Sequence, residues 1–382
     1  MTKRRSALVW ALLVLSTVIL LVTSLTVWSK RQLLDTDNFT ASSGKLLAND
    51  EIRTALSTRL VDMLDQRVDL TSQLREQLPP RVQAAAPIAA ATIRNAAGRV
   101  IDAFLATAQA QQLFERVVRR SHMALVNVLE GKDAGPISTA NGDVVLDLRP
   151  FLQQIAERLG VQDRLQARAE ASPTSGQIVI LKSDQLDAAQ TGVRVLNALS
   201  SLLAILVLAL FALAVYLAIG RRRETLMRVG WCLLFVGVLL AVIRRVVGGA
   251  VIDSLVEVEA SKPAVNAIWL IETDLLRDLA IGLLFYGLAL IVAGFVAGPS
   301  SRAVQLRRWL APTFRERPAL VYIVALFAFL LVLAWGPAGG SRRFLGVLIL
   351  AGLLALGIEL WRRQTLREFP EGAAPPSEAQ LN

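Results

Sequence analysis

The chain predicts a mainly α-helical membrane protein, a six-span helical bundle with a mostly helical extracytoplasmic domain that contains a small β-sheet. Three observations carry this reading. Of 382 residues, 54% are hydrophobic and 19% charged, which is too apolar for a soluble protein and too charged for one wholly in lipid. The apolar residues gather into charge-free runs of spanning length. The net charge of +10 is confined: residues 29–192 hold 19 basic and 19 acidic residues, so the whole excess lies elsewhere. A basic excess that flanks apolar runs is a topology signal, and nucleic-acid binding explains it poorly.

The first run, Ser6 to Val27, follows Lys3, Arg4 and Arg5 and has Trp10 and Trp28 near its ends as interfacial anchors. It is longer than a signal-peptide core, and Thr23 to Val27 is a weak cleavage site, so residues 1–28 read as a cytoplasmic start and a retained signal anchor. Residues 29–183 read as the extracytoplasmic domain. Asp35-Thr36-Asp37 and Asn49-Asp50 are N-cap signals, the second followed by Ile52, Leu56, Leu60 and Leu64 at helical spacing. Leu78-Pro79-Pro80 breaks the chain. Arg81 to Glu130 predicts two helices with a break near Ala106–Ala110, closed by Gly131 as a C-cap. Asn141-Gly142 between Pro136–Thr139 and Val144–Leu148 is a hairpin signal. A helix from Arg149 or Pro150 to Leu159 and a strand Gln177–Leu181 complete the domain.

Residues 184–361 read as a five-span bundle. Its stem helix, 184–220, is amphipathic at first and charge-free from Leu196 to Ile219, long enough to cross a bilayer and still extend beyond it. Arg221, Arg222 and Arg223 mark a cytoplasmic turn. Val229 to Ile243 crosses outward, and 244–278 forms an outer loop. Leu279 to Ala297 crosses back, and the loop 298–317, with five arginines against Glu316, is cytoplasmic. Leu320 to Trp335 and Phe344 to Leu360 form a last hairpin through Gly336-Pro337-Ala338-Gly339-Gly340. Arg342 and Arg343 fall outside against the charge rule, outvoted by the stronger inner loops. Residues 362–382 are a Pro-rich tail expected to be disordered and cytoplasmic.

Four short stretches carry a resemblance: Leu34-Asp35-Thr36-Asp37-Asn38-Phe39, Gly142 to Leu148 with Arg149-Pro150, Ser183-Asp184-Gln185-Leu186, and Gly298-Pro299-Ser300. In these the chain resembles a group of uncharacterised actinobacterial integral membrane proteins with one N-terminal span, an extracytoplasmic domain and a C-terminal membrane bundle. The resemblance implies an envelope protein of the bacterial plasma membrane and implies no activity.

Candidate chemistry is sparse. His122, the one histidine, has Val118, Leu125, Val126 and Leu129 at helical offsets and reads as a core histidine before a ligand or base. Cys232 lies in an apolar run, so disulfides and His/Cys metal sites are excluded by count. Asp143 and Asp147 share a strand face, where solvated hairpin charges explain them better than a cation site. Arg244 and Arg245 interrupt an apolar run and either form an outer-interface ion cluster with Asp274 and Asp278 or snorkel to headgroups. Glu359 precedes Arg362 and Arg363 at helical spacing, and Gly294 with Gly298 is a small-residue pair. Leu186, Ala189 and Val193 on the stem, with Ile268 and Ile271 ahead of the fourth span, form matching stripes. They either pack together as a stalk or lie separately on the membrane.

The expected span centres lack Asp, Glu, Lys, Arg and His, and also proline, which disfavours ion-coupled transport. The expectation is a non-enzymatic protein that needs no cofactor or metal, spans the plasma membrane with both termini cytoplasmic, and meets a protein partner at its extracytoplasmic domain. The other readings are a lipid-handling or passive transport component and an interface enzyme on lipid-linked substrates.

Overall fold

Local capping signals set the start of the chain. In the computed structural model, which describes residues 3–68, 70–132, 137–140, 143–147, 177–181, 183–255, 259–335 and 344–369, α1 (Lys3–Leu34) ends at Asp35. The Asp35 carboxylate accepts the Asp37 and Asn38 amides at 3.1 and 3.2 Å and opens α2 (Thr36–Ala48). Asn49 does the same for α3 (Asp50–Val68), its side-chain oxygen accepting the Ile52 amide at 3.1 Å. After α4 (Leu70–Gln77), Pro79 and Pro80 withhold two donors, and a 3-10 turn at Gln83–Ala85 leads into α5 (Ala86–Leu105). Thr107 caps α6 (Ala108–Leu129) by accepting the Ala110 amide. That helix closes on Gly131 at φ +73°, with the Lys132 amide on the Asn127 carbonyl and the Gly131 amide on that of Val128. A residue without Cβ takes this left-handed cap without strain.

Strands β1 (Ile137–Ala140), β2 (Asp143–Asp147) and β3 (Gln177–Leu181) pair antiparallel in that order, with Ser138 opposite Val145 and Leu146 opposite Ile178. The Asn141-Gly142 turn and the helix expected over 149–159 lie outside the described residues. The chain then continues as α7 (Ser183–Leu217), α8 (Arg222–Leu255), α9 (Lys262–Glu272), α10 (Asp274–Val296), α11 (Ser301–Glu316), α12 (Pro318–Trp335) and α13 (Phe344–Glu368). Gly220, at φ +80°, stands between α7 and α8. The Gly336–Gly340 turn lies outside the described residues, as does the expected tail from 370 on; its first part, Arg362–Glu368, is not disordered but the end of helix α13.

Among the described residues, four helical stretches are long and apolar enough to cross a membrane: Arg4–Leu34, Gln185–Leu217, Arg222–Ser254 and Asp274–Val296. At about 1.5 Å per residue, even the shortest, of 23 residues, covers a hydrocarbon core of about 30 Å. Pro318–Leu330 of α12 is apolar and shorter.

The chain divides into two compact units. The first holds Met1–Leu25, Leu202–Val246 and Asp274–Asn382; the second holds Thr26–Ser201 and Val247–Thr273. The core of the first contains Val9 and Leu13 of α1, Val207, Phe211 and Ala214 of α7, Ala218, and Val229 of α8. Polar residues of α1 enter this apolar setting with their donors satisfied: Ser16, fully buried, donates to the Leu12 carbonyl at 2.6 Å, and Thr23 donates to Ile19 at 2.7 Å. In the second unit α2 packs on α6, α3 and α4 pack on α5, and α9 lies against α2 and α3.

Three expectations change. The outer loop expected from residue 244 begins as helix, because α8 continues through Arg244 and Arg245 to Leu255. Its Gly248 is tolerated because Trp269 fills the place of a side chain: a Cβ there would clash with the indole Nε1. The buried stripe of α3 is Arg53, Ser57 and Val61, one residue on from the expected Ile52, Leu56 and Leu60, and Leu56 is exposed. Arg53 turns the helix this way by donating to the Ala48 carbonyl at 2.7 Å and to Asp50 at 2.6 Å. Most of the loop expected over 298–317 is helix α11.

Candidate functional site

A polar groove of about 370 Å³ runs between α3 and α5 in the second unit. Thr54, Ser57, Thr58 and Asp62 recur on α3 at helical spacing, and Arg94, Asn95, Arg99 and Asp102 recur on α5. Gly98 keeps the middle open, since a Cβ there would find only Val61, at 3.9 Å. Ion pairs hold both ends. Arg94 bonds Asp65, and the buried Arg53 guanidinium faces Asp102 at 3.6 Å. Ser57 and Thr58 turn their hydroxyls onto the Thr54 carbonyl of their own helix. That leaves Asn95 and Arg99 as exposed donors and Asp62 as an exposed acceptor. The lining suits reversible binding of a polar molecule or a partner side chain, with donors on one wall and acceptors on both.

The second constellation is His122 on α6. Its Nε2 lies 3.2 Å from the Leu33 carbonyl and its Nδ1 3.0 Å from the Thr36 hydroxyl, and its ring stacks on Phe39 at 4.1 Å. A carbonyl can only accept, so Nε2 carries the proton and Nδ1 accepts from Thr36. The histidine thus fastens the end of α1 and the start of α2 to α6, while Arg119 pairs with Asp37 at 2.5 Å one turn earlier. Burial pushes its pKa below the ordinary 6.5, against the Leu33 hydrogen bond and the nearby Asp35 charge, which pull it up. A folded pKa below the unfolded one means the unfolded chain takes the extra proton first. The contribution is therefore complete above about pH 6.5 and is lost as pH falls from there toward the folded value. Thermal midpoints of wild type and His122→Gln should converge as pH is lowered from 7.5 to 5.5. A constant gap across that range would show that the ring does not titrate in this way.

The other sequence-selected residues fall as follows. On α8, Arg244 is half-buried and Arg245 exposed; at the start of α10, Asp274 and Asp278 are half-buried, and Asp274 lies 3.7 Å from Arg277. On α7, Val193 is buried and Leu186 and Ala189 are half-buried. On α9, the buried face is Ala264 and Ala267, Ile271 is half-buried, and Ile268 is 39% exposed. The outer end of α7 is tied to α6 by Gln190, which donates to the Val128 carbonyl at 2.9 Å. Asp143 and Asp147 sit at the two ends of β2. Glu359 accepts from Arg362, Arg363 and Tyr322. Gly294 and Gly298 face α8, where they make room for Met227 and the Arg223 guanidinium. Cys232 is half-buried beside the apolar core of the first unit.

Sequence reasoning missed the groove. Its signal was present, because Thr54, Ser57 and Thr58 repeat at helical spacing, but only the pairing of α3 with α5 sets them opposite Arg94, Asn95 and Arg99. Fold and sites together define a mainly α-helical protein of the membrane-spanning class, whose second unit carries a polar groove. Comparison with known proteins finds no family model, no curated protein and no solved structure that matches the chain.

Proposed function

We propose that the protein is a non-enzymatic, six-span plasma-membrane protein of the bacterial envelope, with both termini cytoplasmic, whose extracytoplasmic unit recognises a protein partner and acts as a scaffold or sensor. The groove between α3 and α5 carries this reading. It offers Asn95, Arg99 and Asp62 to a partner, while its Ser and Thr hydroxyls are turned inward. The charge-free centres of the spans speak against ion-coupled transport. The α12 and α13 helices supply the fifth and sixth spans. In this reading Leu186, Ala189 and Val193 of α7 run beside Ile268 and Ile271 of α9 as a stalk, and Arg244 and Arg245 sit with Asp274 and Asp278 at the outer interface. The uninterrupted helix Ser183–Leu217 supports this, because a continuous helix transmits tilt and rotation where a flexible linker cannot.

Two measurements test the proposal. In a Cys232→Ser background, an impermeant maleimide should label Ser261→Cys in intact cells and reach Ser301→Cys only after the membrane is opened. Labelling of Ser301→Cys in intact cells overturns the topology. In-membrane crosslinking followed by purification should then recover a stoichiometric partner that Arg99→Glu loses. A partner held equally by Arg99→Glu removes the groove from the reading, and recovery of none removes the scaffold role.

A further inference from the structure

We propose that α11 is a docking surface for the phosphates of anionic lipid headgroups, lying in the plane of the membrane surface. The proposal goes beyond the function above and rests on the first unit alone. One face of α11 is committed to the protein: Ala303, Arg307, Ala311 and Phe314 are buried. Phe314 packs edge-on against Trp361 at 5.2 Å, and Arg307 is spent on Glu368 and on the Val296 and Gly298 carbonyls. The opposite face is open. Arg302, Leu306 and Trp309 follow one another at helical spacing, and Trp309, at 75%, is the most exposed large apolar side chain among the described residues. Arg308 stands on the adjoining stripe, over the Phe369 ring at 5.6 Å. Among the described residues no carboxylate pairs with Arg302, Arg308 or Arg317.

Both the ring and the charges select the same occupant. Indole prefers the boundary between hydrocarbon and water, where its apolar body and its N–H are both accommodated. Arginines beside it match phosphate oxygens, which they hold through a planar fork. The chain delivers the helix to that boundary. α10, free of charge from Leu279 to its end at Val296, stops five residues before α11 begins at Ser301, and apolar α12 begins two residues after Glu316. A basic helix with an apolar stripe, fastened between two such neighbours, has the composition of one that lies on a lipid surface.

The test uses the full-length protein in detergent, titrated with phosphatidylglycerol or with phosphatidylcholine of the same acyl chains, with bound lipid counted by native mass spectrometry. Wild type should prefer phosphatidylglycerol. Arg302→Gln and Arg308→Gln should each weaken that lipid by about five-fold and leave phosphatidylcholine unchanged. Both side chains are exposed, so the thermal midpoint should hold and report that the variants are folded. Brominated phosphatidylglycerol should quench an emission component that Trp309→Phe lacks, which reads the ring's position without touching the arginines. An unaltered lipid preference in the double variant overturns the proposal. So does displacement of the lipid by millimolar inorganic phosphate, which would make this a site for the free anion, or the absence of a quenched Trp309 component.

Discussion

Gly230→Leu is expected to separate α8 from α10 and to leave a protein that aggregates on extraction from the membrane. Gly230 and Gly287 face each other across that contact, and a Cβ on either would lie 2.7 Å from the other's carbonyl oxygen. The obstacle is backbone on both sides, so rotamer changes cannot relieve it. The contact repeats along the helices, with Gly237 against the Ala280 carbonyl and Leu284, and Gly294 against Met227. Small residues thus recur every seven positions at 230 and 237 and at 280, 287 and 294, and the two helices run antiparallel. Between apolar helices in lipid, close approach of this kind is the main source of cohesion. Gly230→Ala sets two effects against each other: alanine gains about 1 kcal/mol of helix propensity, while overpacking costs about 1–3 kcal/mol. The net loss should be modest for alanine and severe for leucine. Gly352→Ala on α13, where nothing lies within 4 Å, serves as the control and should be neutral or slightly stabilising. Thermal midpoints in detergent, followed by size-exclusion chromatography, read the series. A Gly230→Leu protein that melts with wild type would show that the two helices are not held by this contact.

Arg307→Met is expected to lower stability by about 1–3 kcal/mol, the penalty for leaving buried acceptors without a donor. The Arg307 side chain is 2% exposed; it donates through Nε to Glu368 at 2.7 Å and through Nη1 to the carbonyls of Gly298, at 2.8 Å, and Val296. Those carbonyls belong to the end of α10, where a helix presents its negative pole. Methionine fills the volume but leaves the two carbonyls without a donor and Glu368 with Gln364 alone, at 2.9 Å. Lysine keeps the charge but lacks the fork that reaches all three, so Arg307→Lys should fall between methionine and wild type. Glu368→Met should cost less on top of Arg307→Met than it does alone, since the carboxylate has by then lost its guanidinium partner. Strictly additive losses would mean the two side chains act independently.

Legibility followed the range of the interaction. The caps at Asp35 and Asn49 and the Gly131 stop are each made within two to five residues, so the local sequence announced them, and it announced the break that Thr107 caps without naming the cap. The long apolar helices were equally plain, because lipid requires a continuous charge-free run. The end of α8 was not legible: Arg244-Arg245 read as the start of an outer loop, whereas the helix runs on to Leu255. Only Trp269, 21 positions on from Gly248, explains why the helix accepts a glycine there. The buried face of α3 was misplaced for a similar reason: hydrophobicity named Leu56, but Arg53 had carbonyl and carboxylate partners waiting and took the inner position.

By itself the sequence determined a mainly helical chain with apolar helices of spanning length and a charge-balanced stretch of about 160 residues between the first two, because composition and period act residue by residue. Tertiary structure alone decided which polar residues matter. Arg307 is one arginine among five in its segment until α10 and α13 close around it, and Gly230 is an ordinary helical glycine until Gly287 lies opposite. Arg99 lines a groove only because α3 packs against α5. In each case the partner lies tens of residues away, and its distance and direction are set by packing, which no local pattern encodes.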